Sequence, residues 1–208
     1  MGALTPLDHT PPGTGKVGLL FFLAALAALF IAGMVGYVVI RISGQDAPPI
    51  GSIHIPGLLW VSTVVILISS VTIQHAVVCA QRERQNHMRI SLLATLGLAL
   101  LFIMVQTPTL ADLIDRHREL LAAMENGQGG DGDSAPAGRS LYALIFILIL
   151  LHALHVIGGL IPLAVVNIKA FLGGYDHEDH GGVSYIAIYW HFLDGVWLVM
   201  FMTLLVMS

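Results

Sequence analysis

Five long apolar runs, separated by shorter polar connections, dominate the pattern of hydrophobic and polar positions. They cover residues 17–40, 57–78, 90–110, 141–168 and 183–207. A helix needs about 20 apolar residues to cross the hydrocarbon core of a bilayer, and each run is long enough. Lipid offers no hydrogen-bond partners to an open backbone, so helices are the expected form. The pattern predicts an all-α integral membrane bundle of five transmembrane helices.

The polar connections divide the chain further. Residues 1–16 lack the short apolar region and small-residue cleavage site of a signal peptide, which predicts a cytoplasmic leader ahead of a transmembrane domain at 17–208. Within that domain, residues 107–139 are expected to lie outside the membrane. Apolar residues first recur there at helical spacing, as in an amphipathic extension of the third helix. A glycine-rich loop, GQGGDGDSAPAG, follows.

The distribution of Lys and Arg predicts the orientation of the helices. Arg82, Arg84 and Arg89 crowd the short connection between the second and third runs. Short basic loops face the cytoplasm, so the N-terminus is predicted inside and the C-terminus outside.

Composition excludes several classes of function. Charged residues make up 11% of the chain, against about 25% in soluble domains. A net charge of −4 without a basic cluster gives no electrostatic basis for binding nucleic acid. Cys79 is the single cysteine, so neither an internal disulfide nor a CxxCH haem attachment is available. No phosphate loop, nucleophilic triad or dinucleotide fingerprint appears.

Ionisable side chains inside the runs are the candidates for chemistry. Asp194 is the single carboxylate there, and His191 lies one helical turn before it. His152 and His155 form a second pair, one turn apart in the fourth run. A rise of about 1.5 Å per residue places both pairs at similar depth. They are expected to form one buried polar cluster between the fourth and fifth helices.

Three interpretations of this cluster follow from the residue types. Its members can bind helices together, at around 0.6–2 kcal/mol for each polar contact. Asp194 could instead relay protons or couple transport, because buried carboxylates commonly do so. His152, His155 and His191 could ligate haem or a metal, although a two-haem cytochrome needs a second pair at another depth.

Three further groups of polar or aromatic residues are expected to have structural roles. Trp190 and Trp197 flank Asp194 on one face, which indicates a packed protein interface. The polar run of the second helix is expected to satisfy backbone carbonyls or a neighbouring helix, and consists of Ser69, Ser70, Thr72 and Gln74. The inner loop YDHEDHGG contains metal-ligand residue types, but a solvated loop is expected there, at His177, Glu178, Asp179 and His180.

Several motifs resemble subunit III of the haem-copper (cytochrome c) oxidases in its short, five-helix bacterial form. YWHFLDGVWLVMF at 189–201 is similar to the family signature YWHFxDxxWxxxF, and LHALHVIGGLI at 151–161 to its HxxHVxxG segment. The second run is similar to an LW-xx-T-x-LLxSS segment. Gln106 and the pair Tyr37 and Arg41 also match positions of the family.

The resemblance implies a non-catalytic accessory subunit of a respiratory terminal oxidase in a bacterial inner membrane. Such a subunit has no active site of its own and binds beside catalytic subunit I, which with other subunits holds the haem and copper. It is expected to stabilise that subunit, to hold phospholipid and to support proton uptake. Arg41 could meet a lipid phosphate. The motif positions carried over are His152, His155, Gly159, Tyr189, Trp190, His191, Asp194 and Trp197.

One position departs from the family pattern. A glutamate commonly stands in the middle of the first shared helix, where this chain reads FFLAALAALF and has Leu26. The first run therefore has no ionisable group, which puts in doubt any proton-donating role for that position. The alternatives left open are a partner of a nitric oxide reductase, a b-type membrane cytochrome and a proton-coupled transporter.

Overall fold

The five predicted helices are present in the computed structural model of the chain, which describes residues 14–43, 57–82, 84–125, 135–172 and 181–207. No strand occurs in these ranges. The all-α prediction is confirmed by the helices α1 (Thr14–Ser43), α2 (Gly57–Gln81), α3 (Gln85–Glu125), α4 (Ala135–Phe171) and α5 (Gly181–Met207).

Each helix contains a stretch long and apolar enough to cross a membrane. These stretches are Gly15–Ser43, Leu59–Gln81, Gln85–Pro108, Ala143–Phe171 and Gly181–Val206. They lie within a few residues of the predicted runs. Three predicted features fall wholly or partly outside the described residues, namely most of the N-terminal leader, residues 127–134 of the glycine-rich loop and the inner loop that contains His177 to His180. The last four residues of the predicted glycine-rich loop, 135–138, are helical and form the start of α4.

Helix α3 is longer than a membrane crossing requires. It continues through Pro108 and ends at Glu125, so the segment with helical spacing is continuous with the third span. Proline lacks an amide hydrogen and ordinarily interrupts a helix, but here the helix is maintained on both sides of it.

The helices form a ring in the order α1, α4, α3, α2, α5, and α4 also packs against α5 across the ring. The tight connection at 82–84 makes α2 and α3 antiparallel neighbours with extensive contact. Helix α1 touches only α4 and α5 among the described elements. Its approach to α4 depends on Gly33, where an added Cβ would lie 2.6 Å from Leu148 Cδ2.

The buried interior is mostly aliphatic. Leu92, Leu163 and Ile73 are fully enclosed where α2, α3 and α4 meet, and α5 adds Trp190 to the same cluster. Further along the bundle, Phe102, Leu193 and Trp197 form a second cluster with α2 and α4 residues. Helix α5 therefore carries its two tryptophans into the interior, and this orientation positions its polar side chains.

Candidate functional site: a polar seam between α2 and α5

Both signature tryptophans of α5 bond to hydroxyl groups of α2. The indole Nε1–H of Trp190 donates to Ser69 Oγ at 2.9 Å. The indole Nε1–H of Trp197 donates to Thr63 Oγ1 at 3.2 Å. Both rings are buried, and a buried indole N–H is stabilised by such a partner. The tryptophans therefore fix the register between two antiparallel helices.

His191 and Asp194 also face α2. Ring nitrogen Nδ1 of His191 lies 2.7 Å from Ser70 Oγ, and Nε2 lies 3.1 Å from Gln74 Oε1. The Ser70 hydroxyl also interacts with the carboxyl group of Asp194. The α2–α5 seam is defined here by these contacts and comprises Thr63, Ser69, Ser70 and Gln74 of α2 with Trp190, His191, Asp194 and Trp197 of α5.

The Ser70 hydroxyl bonds to His191 and interacts with Asp194, so it lies between the two ionisable groups of the seam. In a neutral arrangement, protonated Asp194 would donate to Ser70 Oγ, Ser70 would donate to His191 Nδ1, and His191 Nε2–H would donate to Gln74 Oε1. Moving one proton along the same bonds gives a carboxylate and an imidazolium with every contact retained. Asp194 is only 4% exposed, and its Oδ2 has no hydrogen-bond partner among the described residues. The arrangement can thus hold a proton at either end.

Residues of α4 bond elsewhere. Nδ1 of His155 lies 2.7 Å from the carbonyl oxygen of Leu151 in its own helix. The Tyr189 hydroxyl donates to the carbonyl oxygen of His155 at 2.8 Å, which ties α5 to α4. Gly159 makes room for this tyrosine, because an added Cβ would lie 2.6 Å from Tyr189 Cε1.

His152 is the most deeply enclosed of the motif histidines, with 1% of its surface exposed. Its ring centroid lies 5.3 Å from that of Trp197, with the planes tilted by 34°. Phe30 and Phe102 approach it edge-on at 6.2 and 6.3 Å. Neither ring nitrogen has a hydrogen-bond partner in the described part of the chain.

The expected single cluster between α4 and α5 is therefore divided in the structure. Within the described ranges, no hydrogen bond joins His152 or His155 to His191 or Asp194. The helical rise places the two pairs at similar depth, but depth does not fix how a helix is rotated about its axis. Because the tryptophans of α5 bond to α2, His191 and Asp194 turn towards the same helix.

Ligation of haem or metal by the three histidines has no geometric support. His152 packs among aromatic rings, His155 bonds to its own helix, and His191 bonds to α2. The described residues contain no group of three or more His, Cys, Asp or Glu side chains placed to hold a metal ion.

The first helix places its motif residues in the interior. Tyr37 is 2% exposed, Arg41 is 6% exposed, and Leu26 is 7% exposed. A glutamate at position 26 would therefore face protein. Contact between Arg41 and a lipid phosphate stays a prediction.

Sequence reasoning left out one partner of the seam. Thr63 precedes Ser70 by seven residues, a spacing that places both on one face of a helix. Gln74 follows Ser70 at one further turn. This polar stripe could have identified the face of α2 that meets α5.

Comparison with known proteins supports the family suggested by the motifs. The profile of the family described as "Cytochrome c oxidase subunit III" matches residues 136–208, which span α4 and α5. A protein from Synechocystis sp. named "Cytochrome c oxidase subunit 3" is 29% identical over 195 residues, which cover 93% of this chain and 76% of the relative.

The chain is similar to the cytochrome c oxidase subunit III family.

Other subunit III relatives extend the similarity along most of the chain. "Cytochrome c oxidase subunit 3" of Marchantia polymorpha is 29% identical over 89% of this chain, which spans only 63% of that relative's length. "Probable quinol oxidase subunit 3" of Staphylococcus epidermidis is 26% identical, with 89% of this chain and 85% of the relative covered. The subunit III family thus includes relatives named for both kinds of oxidase.

Proposed function

We propose that the chain is a non-catalytic accessory subunit of a membrane haem-copper terminal oxidase, where it binds beside the catalytic subunit and stabilises it. The observation that carries the proposal is the similarity to the subunit III family, combined with the contacts of the signature residues. Trp190, His191 and Trp197 bond to α2, and Tyr189 bonds to α4. The signature thereby serves to join helices, as expected of a structural subunit.

The redox chemistry belongs to partner subunits in this proposal. Catalytic subunit I would hold haem and copper, and this chain would hold neither. The separate directions of His152, His155 and His191 favour this division, because a shared ligand needs converging nitrogens. Membership of an assembly also suits α1, which packs on α4 and α5 alone among the described helices and exposes much of its apolar surface.

Two supporting roles belong to the same proposal. Phospholipid would occupy the apolar perimeter, with a phosphate near Arg41 at the end of α1. Support of proton uptake would rest on Asp194, Ser70 and His191, whose arrangement could hold a proton on either ionisable group. Leu26 gives the first helix no ionisable group at the family's glutamate position, so the seam is the better candidate for that role.

We place the protein in a bacterial inner membrane, with its N-terminus in the cytoplasm and its C-terminus in the periplasm. An odd number of candidate spans among the described residues supports ends on opposite sides, and the basic connection between α2 and α3 favours this direction.

The function is tested by comparing membranes that contain the chain with membranes from which its gene is deleted. An accessory role predicts that the deletion strain retains oxidase haem in its reduced-minus-oxidised spectrum but loses oxidase activity faster during turnover. Restoring the wild-type chain should recover the lifetime. An unchanged lifetime of oxidase activity in the deletion strain would contradict the stabilising role. So would a deletion strain that has neither oxidase haem nor initial oxidase activity, because the catalytic subunit would then need this chain in order to assemble at all.

A further inference from the structure

A cavity between α3 and α4, closed on one side by α5, lies apart from the α2–α5 seam. It has a volume of about 150 Å³. Its walls are largely aliphatic and aromatic, and Phe102, Val156 and Trp197 are among them. His152 and Gln106 also line it. The residues that line it come from α3, α4 and α5.

Polar atoms in the walls lack partners. Nδ1 and Nε2 of His152 and Oε1 of Gln106 are buried, and none has a hydrogen-bond partner among the described residues. Buried polar groups are nearly always satisfied, by protein, water or a ligand. A histidine that is 1% exposed and lines a cavity with both nitrogens unsatisfied points to an occupant.

The size and walls of the cavity indicate a ring. An apolar cavity of about 150 Å³ in another protein stays dry and binds benzene, which is one six-membered ring. Ligand sites typically combine apolar and aromatic walls with a small number of placed polar groups. A water cluster would fit the polar atoms but would leave most of these walls against water.

The polar atoms specify the substituent. A neutral imidazole offers one N–H donor and one acceptor nitrogen, and Gln106 Oε1 is a second acceptor. A carbonyl group only accepts, so it would leave both acceptors without a partner. A hydroxyl group both donates and accepts. It can therefore accept a hydrogen bond from the N–H of His152 and donate one to Gln106 Oε1.

We infer that this cavity binds the head ring of a lipid-soluble phenol, with the ring against Phe102 and Trp197 and the hydroxyl group at His152 and Gln106. Simple phenols and the reduced rings of membrane quinols share this chemistry. The inference concerns binding only, and its test needs no oxidase activity.

Fluorine NMR can test the inference with the full chain, purified with its co-eluting subunits and placed in lipid nanodiscs. The probes are para-fluorophenol and fluorobenzene, and empty nanodiscs correct for partition into lipid. The hydroxyl contact should make saturable binding of para-fluorophenol roughly twofold to tenfold tighter than that of fluorobenzene. Equal affinities, or no saturable binding, would overturn the inference.

Variants locate the binding. His152→Phe keeps an aromatic ring but removes both nitrogens, so it should abolish the preference for the phenol. Ala153→Phe should fill the cavity and abolish binding of both probes. Leu154→Phe is the matched control, because Leu154 is 56% exposed on the same helix and lies outside the cavity walls. If Ala153→Phe fails to fold, Gln106→Leu serves as a second variant that should lose the preference for para-fluorophenol over fluorobenzene.

Extraction and mass spectrometry of the purified chain distinguish a membrane quinol from a simpler phenol as the natural occupant of the cavity. A quinol retained by wild type and lost in Ala153→Phe identifies the membrane quinol as the occupant. Absence of quinol with selective para-fluorophenol binding supports a site for simpler phenols. A high-resolution map with only water or an acyl chain in the cavity at saturating para-fluorophenol would refute the proposal.

Discussion

Gly159 sets the distance between α4 and α5 at the point where Tyr189 crosses. The missing side chain lets the tyrosine ring lie against the α4 backbone and donate its hydroxyl hydrogen to the carbonyl oxygen of His155. A close approach of this kind is common between membrane helices, where small residues allow backbones to meet. One methyl group is therefore enough to disturb two motifs of the chain.

Gly159→Ala is expected to destabilise the protein by about 1–3 kcal/mol, because the new methyl group would overlap the Tyr189 ring. Unfolding in mixed detergent micelles measures the change. Gly158→Ala is the control, since its Cβ would meet nothing within 4 Å. Equal stability of the two variants would show that the close approach is not a constraint.

Ser69→Ala should leave the indole N–H of Trp190 without its partner. The expected loss is about 0.6–2 kcal/mol of unfolding free energy. Ser62→Ala is the matched control, because Ser62 is also buried but bonds to the Leu59 carbonyl of its own helix. If both changes cost the same in the same unfolding assay, the interhelical bond is not what Ser69 contributes.

Some of these residue contacts follow from sequence and some do not. The polarity of α2 and the placing of Trp190, Asp194 and Trp197 on one face are apparent from helical spacing. Helical spacing does not show which helix packs against that face, because α4 and α2 both carry polar side chains at suitable depth. The choice is made by tertiary packing, in which the α5 tryptophans reach the α2 hydroxyl groups.

At the scale of elements, the spans are almost fully predictable because the bilayer imposes their length and apolarity. The continuation of α3 through Pro108 to Glu125 is less predictable from the sequence, because proline usually marks a helix end. Helix α1 packs against the rest of the bundle through α4 and α5 alone among the described helices.

Leu26→Glu tests what the family's glutamate would do in α1. Position 26 is buried, and a charged side chain within a membrane helix costs about 3 kcal/mol. The variant is expected to accumulate poorly or to melt earlier, whereas Leu26→Met should change little because it conserves volume. The melting temperatures of the purified variants measure the effect. A Leu26→Glu variant that melts at the wild-type temperature would mean that position 26 accommodates an ionisable group.

At the scale of the whole molecule, the order of helices around the ring could not be predicted from the chain. Hydrophobicity is nearly uniform around each span, so no apolar stripe identifies the neighbours. Only the short α2–α3 connection fixes a pair. The remaining neighbours follow from specific contacts, such as Tyr189 with α4 and Gly33 with Leu148.

Orientation can be checked in intact bacteria with a membrane-impermeant thiol reagent. In a Cys79→Ala background, a cysteine at Arg84 should stay unlabelled until the membrane is opened, because that connection is predicted to be cytoplasmic. A cysteine introduced after Gly130 should label at once. The reverse pattern would invert the assigned topology.

A chain that accompanies a haem-copper oxidase without holding its redox centres should purify with oxidase haem but bind none itself. Mild detergent extraction, capture through a C-terminal tag and a reduced-minus-oxidised spectrum test this, with proteomics of the eluate. We expect oxidase haem bands together with a large multi-span catalytic subunit, and loss of those bands when this chain is separated from that subunit. Haem that remains with the separated chain would show that the chain holds a redox centre of its own.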